Sequence, residues 1–567
     1  MRIFMRGSVP DCAVQDANSP RAPCNFNAMQ ADESASEPRE LVICGARVFG
    51  VEGSDAVFLR GDRIEAVGSR KGMRALAGKS ALVIDRPRAL ICPGLHDAHV
   101  HLGHLGAARM ELDLHGMNPG QVRDAVAERV DQGSRELSRF VIGRGFDPEI
   151  FRGAGVSARA LLDEASPARP VLLRSHDYHA VALNTVALQR TGFLPHTPQI
   201  DGGVVDRDGA GELTGILREM SAFHASVQSN DVTDAELAHG VLRSIVSLHK
   251  AGITAVHDMS GTRHLDILRS LDDANSLPIE VFATVSPGDV ADQSLRRVGA
   301  TLRIVGMKAF LDGALGSRTA RLLEPYEGET CHCGVEVLPH EQAAAAVRAA
   351  ADAGLPSYLH AIGDRAVRTA LDVLQSHGHP TPGDGEQRVA PSRRLRHRVE
   401  HAQMIHPLDL PRFADLGIAA SMQPVHMALD APLIGKHWGA RASEAFPLRS
   451  LLQSGARLAF GSDAPIETFD VFEGIACATQ RRGRDGTALA ADEAISVADA
   501  LTAYTSGAAW CVGAEHELGS IRRGGLANLT LISEDIAAPG GEAALGSATI
   551  DATIVRGIFA FVTPGVL

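Results

Sequence analysis

The feature that most constrains the fold is a long alternation of short apolar strands with helical stretches. Eight such strands can be placed between residues 89 and 465, and helical patterns separate most of them. The predicted strands span residues 89–102, 253–259, 279–285, 301–313, 356–364, 396–403, 417–424 and 456–465. Strands that alternate with helices form parallel sheets, so eight of them predict an α/β fold of the (β/α)8 type, a TIM barrel.

The connection between the first and second predicted strands is far longer than a barrel loop. It covers residues 103–252, whereas such loops usually have about 2–6 residues. The helix that leads into the second strand begins at Thr233, whose hydroxyl can cap it, with Glu236 as the capping-box partner. We therefore expect an inserted subdomain at about residues 103–230, over the mouth of the barrel.

Both ends of the chain have short β-type runs in place of the α/β pattern. These runs, separated by Gly and Asp turns, occur in residues 39–92 and again in 515–567. We expect the two segments to pair into one small β-sandwich domain that is discontinuous in sequence, with residues 93–514 forming the barrel domain. Residues 1–38 are rich in Pro, Ser, Asn, Asp and Ala without apolar periodicity, which predicts a disordered leader.

Charge and composition restrict the partners of the chain. The formal net charge is −13, which argues against a nucleic-acid binder. No apolar run approaches the roughly 18 residues that span a bilayer, and the first residues lack the apolar stretch of a signal peptide. Eight scattered cysteines do not indicate a disulfide framework, so we expect a cytoplasmic location. Cys331 and Cys333 have no second Cys/His cluster nearby, so we interpret their spacing as a coincidence in a loop and not as a metal site. We expect a small-molecule substrate and neither a nucleic-acid nor a membrane partner, and a homodimer is left open.

Polar side chains interrupt the apolar strands at positions expected near one rim of the barrel. His99 and His101 lie two residues apart, so both point to the interior face of the first strand. Single polar residues interrupt or end four further strands: Lys308 the fourth, His360 the fifth, His401 the sixth and Asp463 the eighth. Burying such groups costs several kcal/mol unless they are paired or coordinated. Because imidazole and carboxylate suit Zn²⁺, and also Mn²⁺, Fe²⁺ or Ni²⁺, the set predicts a metal site.

The residues of this set, and the phrases around them, resemble the amidohydrolase superfamily. Within it they are similar to amidohydrolase family 3, the branch of YtcJ-like hydrolases and N-substituted formamide deformylase. The phrases that carry the similarity are PGLHDAHVHL, KAFLDGALGSRTA, LHAIGDRAV, RVEHAQMI, SMQPVH and FGSDAPIE. The similarity extends from about Leu41 to Val562.

The resemblance implies a binuclear metal centre at the C-terminal mouth of the barrel. His99 and His101 would bind the first metal and His360 and His401 the second, and a CO2-derived carbamate on Lys308 would bridge the two. Asp463 would ligate the first metal and act as the catalytic proton shuttle. The implied cofactor is a pair of divalent metal ions, with zinc preferred and Mn, Fe or Ni as alternatives. The implied activity is hydrolysis of a C–N bond in a non-peptide amide, formamide or cyclic amide by metal-activated hydroxide.

Loops at the mouth of a barrel carry substrate contacts, so polar residues there are weaker candidates for such contacts. These candidates are Asp312, Arg318, Gln423 and His426. For Asp312 the alternative is that it only holds Arg318. For other polar residues a structural role is the alternative to a functional one: Asp364 would cap a helix, and Arg449 would anchor a loop. His179 and Asn184 would belong to the fold of the insertion, and His257 and Asp258 would form a local hydrogen bond. Glu219 could contact the metal ligands without touching the metal.

Some positions depart from the family pattern. His96 stands where an aliphatic residue is usual, and we expect its side chain to point away from the metals. Asn528 stands where Asp is usual, in the small β-domain. Phe146 and Phe151 stand where Trp is frequent, a change that could reshape the pocket.

Two alternatives to an amide hydrolase remain open from the sequence. The same site could act on an ester, a phosphoester or an isomerisation, because a fold does not fix a function. The chain could also be a catalytically inactive relative that serves as a binding protein. Loss of ligands would support that alternative, but the complete ligand set is present.

Overall fold

The computed structural model describes residues 40–132, 139–229, 232–296, 298–378 and 395–567, so the leader predicted at residues 1–38 lies outside it. The strands are β1 (Glu40–Cys44), β2 (Arg47–Val48), β3 (Ala56–Arg60), β4 (Arg63–Gly68), β5 (Leu82–Asp85), β6 (Leu90–Pro93), β7 (Leu95–Val100), β8 (Leu112–Asp113), β9 (Val141–Phe146), β10 (Val171–Ser175), β11 (Ala180–Leu183), β12 (Gly203–Arg207), β13 (Leu213–Glu219), β14 (Ile253–Asp258), β15 (Glu280–Val285), β16 (Leu302–Phe310), β17 (Ser357–Ala361), β18 (Arg398–His401), β19 (Ala419–Met422), β20 (Leu458–Phe460), β21 (Leu529–Ile532), β22 (Ile550–Val555) and β23 (Ile558–Val562).

The helices lie mostly between the strands of the central sheet. They are α1 (Arg70–Leu76), α2 (Leu102–Ala108), α3 (Pro119–Gln132), α4 (Glu149–Gly153), α5 (Ala158–Ala165), α6 (Thr185–Arg190), α7 (Met220–Gln228), α8 (Asp234–Lys250), α9 (Thr262–Asp273), α10 (His340–Asp352), α11 (Asp364–His377), α12 (Leu410–Leu416), α13 (Met427–Trp438), α14 (Leu448–Ser454), α15 (Val471–Gln480), α16 (Val497–Thr502) and α17 (Ala508–Cys511). The capping box at Thr233 and Glu236 that the sequence predicts is present at the start of α8. None of the helices in the described ranges is both long and apolar enough to cross a membrane.

Eight parallel strands form the central sheet, in the order β7, β14, β15, β16, β17, β18, β19 and β20. Its two ends approach each other just past the strands, where the Asp463 N–H donates to His99 O at 2.7 Å and the His101 N–H to Ala464 O at 2.9 Å. Most strand residues are buried, as in a parallel sheet that is covered on both faces. The predicted α/β barrel is confirmed.

The first predicted strand, residues 89–102, is two strands and not one. The structure ends β6 at Pro93 and begins β7 at Leu95, with Gly94 between them. Only β7 joins the barrel, whereas β6 pairs with β2 and β21 in another sheet. The apolar character continues through both strands, so the pattern of hydrophobic residues does not reveal the break. The Pro-Gly pair is the local signal for it.

The segment between β7 and β14 forms a six-stranded sheet of its own, in the order β12, β13, β11, β10, β9 and β8. Alternate residues of a strand face opposite sides of a sheet. Leu172 of β10 therefore packs into one apolar cluster and Leu173 into a second cluster on the opposite face. The second cluster includes Phe146 and Phe151, whose ring centroids are 5.7 Å apart. These two aromatic residues belong to the core of the insertion.

The described part of the chain divides into two compact units, residues 40–94 with Ser520–Leu567, and Leu95–Gly519. The first unit contains a four-stranded sheet (β4, β3, β1, β5) and a five-stranded sheet (β2, β6, β21, β22, β23). Ile43 of the first sheet and Leu531 of the second belong to one apolar cluster. This unit is a β-sandwich that both ends of the chain build. The second unit contains the barrel with its insertion.

Candidate metal centre

The predicted ligand residues lie near the C-terminal ends of the barrel strands or directly after them. His99 is in β7 and His101 follows it, Lys308 is in β16, His360 in β17 and His401 at the end of β18, and Asp463 follows β20. None of these six residues is more than 9% exposed. The structure therefore collects them in one buried region, where an unpaired polar group is costly.

Three of these residues converge on one point. Asp463 Oδ1 lies 3.4 Å from His99 Nε2 and 3.2 Å from His101 Nε2. Two ligand atoms bound to one tetrahedral zinc at about 2.0–2.1 Å are about 3.3–3.4 Å apart. His99 Nε2 and Asp463 Oδ1 are buried and have no hydrogen-bond partner among the described residues. The donor set and its spacing therefore fit a divalent metal ion.

The tautomer of His99 strengthens this fit. Its Nδ1 lies 2.7 Å from Glu400 Oε2, and burial lowers the pKa of His99 to about 4, so the imidazole is neutral. The carboxylate accepts the Nδ1–H, which leaves a lone pair on Nε2. That lone pair faces Asp463 Oδ1, another acceptor, at 3.4 Å. Two buried acceptors that face each other need a cation between them, and a divalent metal supplies one.

A second group of possible ligands contains His401, His426 and Asp463. His426 Nε2 lies 3.5 Å from Asp463 Oδ2, and His401 Nδ1 is buried without a hydrogen-bond partner among the described residues. His360 is close to His401, with ring centroids 4.5 Å apart, but its Nε2 faces Gly313 O at 3.2 Å. The structure thus brings His426 to the second group, and the role of His360 as a ligand stays a prediction.

Lys308 lies beside both groups without a partner for its amine. Its Nζ is buried, has no hydrogen-bond partner in the described residues, and lies 4.8 Å from the centre of the Phe310 ring. Burial lowers the pKa of Lys308 to about 8, although Glu400 and Asp463 oppose this shift. The amine is therefore more readily neutral than that of an exposed lysine.

Glu400 and Arg398 are residues of the site that the sequence analysis missed. Both side chains are fully buried, and they form an ion pair with a shortest distance of 2.7 Å. Arg398 also donates to Ala98 O at 2.5 Å and to Ser421 Oγ at 2.6 Å. Although burial opposes its charge, Arg398 and His99 hold the pKa of Glu400 well below its usual range. The pair orients the His99 ring through its Nδ1, on the side away from the candidate ligand atom Nε2. Its signal in the sequence is the presence of two charged residues in the apolar strand just before His401.

Asp97 fixes the backbone around the first group and was also missed. It accepts the Ser462 N–H at 2.9 Å, the Ser462 hydroxyl at 2.5 Å and the His99 N–H at 3.2 Å. Next to these contacts, Asp463 has a φ of 62° and His401 a φ of 70°. Residues other than glycine rarely adopt this left-handed region and cluster at functional sites. Two of the candidate ligands are therefore held in strained backbone.

Asp312 and Arg318, two weaker candidates, have structural partners. Asp312 accepts the backbone N–H groups of Arg321, Ile362 and Gly363 at 2.8–3.0 Å. Arg318 pairs with Glu329, so the alternative in which Asp312 holds Arg318 is wrong. The three amides explain why a buried carboxylate stands here. A substrate contact by either residue stays a prediction.

The other weaker candidates divide between structural roles and the site. Gln423 donates to Ser421 O at 3.1 Å, whereas His426 lies beside Asp463 as described. Asp364 accepts the N–H groups of Leu323 and Arg365, and Asn184 caps α6. Arg449 lines a surface cavity of about 520 Å³ with Asp499.

His257 and Asp258 do not form the local hydrogen bond that the sequence suggested. His257 Nδ1 lies 2.8 Å from Arg398 Nη1, whereas Asp258 accepts the Leu102 N–H at 2.9 Å. Adjacent residues of a strand face opposite sides, which separates the two side chains. His96 Nδ1 lies 3.4 Å from His257 Nε2, so the His96 ring faces His257. Asn528 accepts the Arg556 N–H at 2.8 Å in the β-sandwich.

Comparison with known proteins shows the family to which the chain belongs. Over 506 residues the chain is 29% identical to the putative amidohydrolase YtcJ of Bacillus subtilis (strain 168), covering 85% of this chain and 91% of that protein. It is 28% identical over 529 residues to N-substituted formamide deformylase of Arthrobacter pascens, covering 88% and 94%. The crystal structure of an uncharacterized metal-dependent hydrolase from Pyrococcus horikoshii OT3 shares the fold, with a TM-score of 0.72, 24% identity and coverage of 89% and 99%. Residues 83–561 match the sequence profile of the amidohydrolase family, and the chain belongs to that family.

Proposed function

We propose that this amidohydrolase cleaves a C–N bond in a small non-peptide amide, formamide or cyclic amide. The observation that carries the proposal is the pair of buried acceptors, His99 Nε2 and Asp463 Oδ1, which face each other at 3.4 Å. A divalent cation between them would be the centre of a hydrolytic site. Two relatives are named as an amidohydrolase and a formamide deformylase, which supports a C–N bond as the target.

His99, His101 and Asp463 would hold one ion, and His401 a second with His426 or His360. A bound divalent cation supplies Lewis acidity, which polarises a carbonyl group and lowers the pKa of water. Zinc suits imidazole and carboxylate ligands, and Mn²⁺, Fe²⁺ or Ni²⁺ are the alternatives. Lys308 Nζ would carry a carbamate, because its buried amine has no hydrogen-bond acceptor among the described residues and lies beside both groups.

Asp463 would move the proton. Water adds to the carbonyl carbon, the C–N bond breaks, and one proton of the water must reach the leaving nitrogen. Asp463 is the carboxylate that both groups of ligands share, so it would accept this proton and deliver it to the nitrogen. Glu400 and Arg398 would hold His99 in its orientation throughout. The surrounding burial would keep further water away from the reacting atoms.

The test combines metal analysis with a panel of substrates. Protein that carries one to two equivalents of a transition metal should hydrolyse at least one formamide or simple amide faster than the matched ester. Protein without metal, and without activity after addition of Zn²⁺, Mn²⁺ or Fe²⁺, would contradict the proposal. Turnover of esters alone would favour the alternative bond. Full metal content without any turnover would favour a binding protein.

The carbamate on Lys308 has a separate test. In native mass spectrometry, the parent should be heavier than its sequence and bound metal account for by the mass of CO2, and the Lys308→Ala variant should lack this excess. The variant should lose at least one metal, and small carboxylic acids should restore part of its activity. An unmodified Lys308 at full metal content and full activity would exclude the carbamate.

We also propose that the protein acts in the cytoplasm on a small molecule. The six cysteines in the described ranges are all free, which agrees with a reducing compartment. Localisation of a tagged full-length chain would test the compartment, and light scattering would show whether the protein is a monomer or a homodimer.

A further inference from the structure

The turn between β10 and β11, residues 176–179, lies over the ends of several barrel strands. His176 Nε2 is 3.2 Å from Glu467 Oε1, in the segment after β20. The Tyr178 ring centroid is 6.2 Å from that of His104, in the helix after β7. The His179 ring centroid is 5.4 Å from that of His360, in β17. We name residues 176–179 the roof turn, because its contacts connect three separate parts of the barrel rim.

The backbone of the roof turn is held in an unusual conformation. Tyr178 has a φ of 60°, in the left-handed region that residues with a side chain rarely adopt. Asp177 Oδ1 accepts the Ser175 hydroxyl at 2.6 Å and the His179 N–H at 3.0 Å. These bonds stabilise the tight turn from inside. Surrounding structure must maintain such a conformation, and functional sites are where it is common.

Glu219 fixes the ring of His179. Its Oε2 lies 2.8 Å from His179 Nδ1, and its side chain is 2% exposed. Glu219 has a φ of 52°, and its Oε1 has no hydrogen-bond partner among the described residues. A Cβ on Gly313 would lie 2.2 Å from that oxygen, so the carboxylate presses against the chain segment whose carbonyl faces His360. The His179–Glu219 pair therefore lies directly beside the candidate metal centre.

We propose that His179 is a substrate-contacting residue that the insertion contributes, and that Glu219 is its positioning residue. The Glu219 carboxylate occupies Nδ1, so Nε2, which has no hydrogen-bond partner among the described residues, is the atom left for a ligand. The His179 side chain is 17% exposed, so part of its ring can be reached by a ligand. This inference rests on the proposed function, because it assigns the contact to a polar atom of the amide group whose C–N bond is cleaved.

Two substitutions of His179 separate its two ring nitrogens. The amide nitrogen of Asn occupies the place of Nδ1, so His179→Asn keeps the bond to Glu219 and removes the substrate atom. The amide nitrogen of Gln occupies the place of Nε2, so His179→Gln keeps the substrate atom and loses the bond. His239→Asn, at an exposed histidine of α8, is the matched control.

The experiment measures kcat, KM and metal content of the holoenzyme variants on whichever panel substrate is turned over, amide or ester. It also measures the Kd of acetohydroxamate by calorimetry, which needs no turnover. His179→Asn should lower kcat/KM and weaken acetohydroxamate binding by about tenfold or more at unchanged metal content, because one hydrogen bond to a polar ligand is lost. His179→Gln should retain more of both, and His239→Asn should match the parent.

Glu219 needs a readout that a purely structural role would not change. Glu219→Gln keeps an acceptor oxygen for Nδ1, whereas Glu219→Ala removes it. Rescue of kcat/KM and of acetohydroxamate binding by Gln relative to Ala is expected, with equal metal content in both variants. If His179→Asn behaves as the parent, His179 does not contact the substrate. If His179→Asn loses metal, His179 is a ligand. Either result overturns the inference, while amide turnover by the parent still decides the proposed function separately.

Discussion

Among single residues, Asp463 is the one on which both groups of candidate ligands meet. Its Oδ1 lies 3.2 Å from His101 Nε2 and its Oδ2 lies 3.5 Å from His426 Nε2. Although burial opposes ionisation, His99 and His101 hold the pKa of Asp463 far below its usual range. The carboxylate is therefore charged in the folded protein, where it can bind a cation.

Replacement of Asp463 by Asn should abolish turnover but spare much of the metal binding. Asn keeps the shape and one oxygen for a metal but cannot accept a proton. The loss of a general base lowers the rate by about 10²–10⁴, and the weakened ligand adds to that loss. We expect metal content to fall less in Asp463→Asn than in His99→Ala or His360→Ala. Measured kcat of Asp463→Asn within about tenfold of the parent would exclude the proton-shuttle role, and His426 would be the next base to test.

Glu400 acts through His99, so its replacement should lower metal affinity directly and the reaction rate only as a consequence. Glu400→Gln removes the charge that pairs with buried Arg398 and weakens the bond to His99 Nδ1. Loss of a partner behind a metal ligand reduces affinity by about 10–100-fold. Breaking a buried ion pair costs about 3–5 kcal/mol in the free energy of unfolding.

Competition with a chromophoric chelator and chemical denaturation measure these two quantities for Glu400→Gln. The control is Glu473→Gln, because Glu473 pairs with Arg484 near the surface, where an ion pair contributes about 0–1 kcal/mol. Equal metal affinity in the parent and in Glu400→Gln would show that Glu400 does not orient His99.

At the scale of elements, periodicity and composition predicted the barrel strands but not every boundary. The second to eighth predicted strands overlap β14–β20 in order, because buried parallel strands form compact apolar runs between turn residues. The first predicted strand joined β6 and β7 across Pro93 and Gly94, since both strands are apolar. Assignment to different sheets is decided by long-range pairing, which a local pattern does not contain.

The same limit applies to the site. The ligand candidates were recognisable because each is a polar residue in or just after an apolar strand. Glu400 and Asp97 also stand in buried strands, but each is separated from its partner by more than 300 residues of sequence. Glu400 contacts His99, and Asp97 contacts Ser462 across the closure of the barrel. His179 and Glu219 come together through a β-turn and a strand end of the insertion. Their pairing depends on tertiary structure, which the sequence pattern left undetermined.

Closure of the barrel between β7 and β20 requires a residue without a side chain at position 461. A Cβ on Gly461 would lie 2.3 Å from the His99 nitrogen, which is backbone and cannot give way. Gly461→Ala should therefore destabilise the protein by about 1–3 kcal/mol or more and displace His99. Denaturation and metal content measure both effects. Gly435→Ala, in α13 with open space at the Cβ, should instead be neutral or stabilise by about 0.5–1 kcal/mol. Equal stability of the two variants would contradict the steric argument.

At the scale of the molecule, the site is assembled from residues far apart in the chain. His99 and Asp463 lie on β7 and after β20, the two ends of the barrel sheet, and their ligand atoms face each other without a hydrogen bond. Without a cation, these buried acceptors repel each other across the closure. A bound metal ion would connect the two ends of the barrel. Folding and metal binding should therefore be thermodynamically linked.

This linkage predicts that metal removal lowers the unfolding temperature of the barrel. A ligand that binds only the native state stabilises it by about 2.7 kcal/mol when present at 100 times its Kd. Calorimetry of chelator-treated protein should show a transition at lower temperature, and titration with Zn²⁺ should raise it in proportion to the logarithm of the free metal concentration. His99→Ala and His101→Ala should lose this response, because each removes one of the converging donors. Cys331→Ser, at an exposed cysteine outside both ligand groups, should keep it. If the His99→Ala transition shifts with Zn²⁺ as much as that of the parent, the ion binds elsewhere and the barrel closure is not its site.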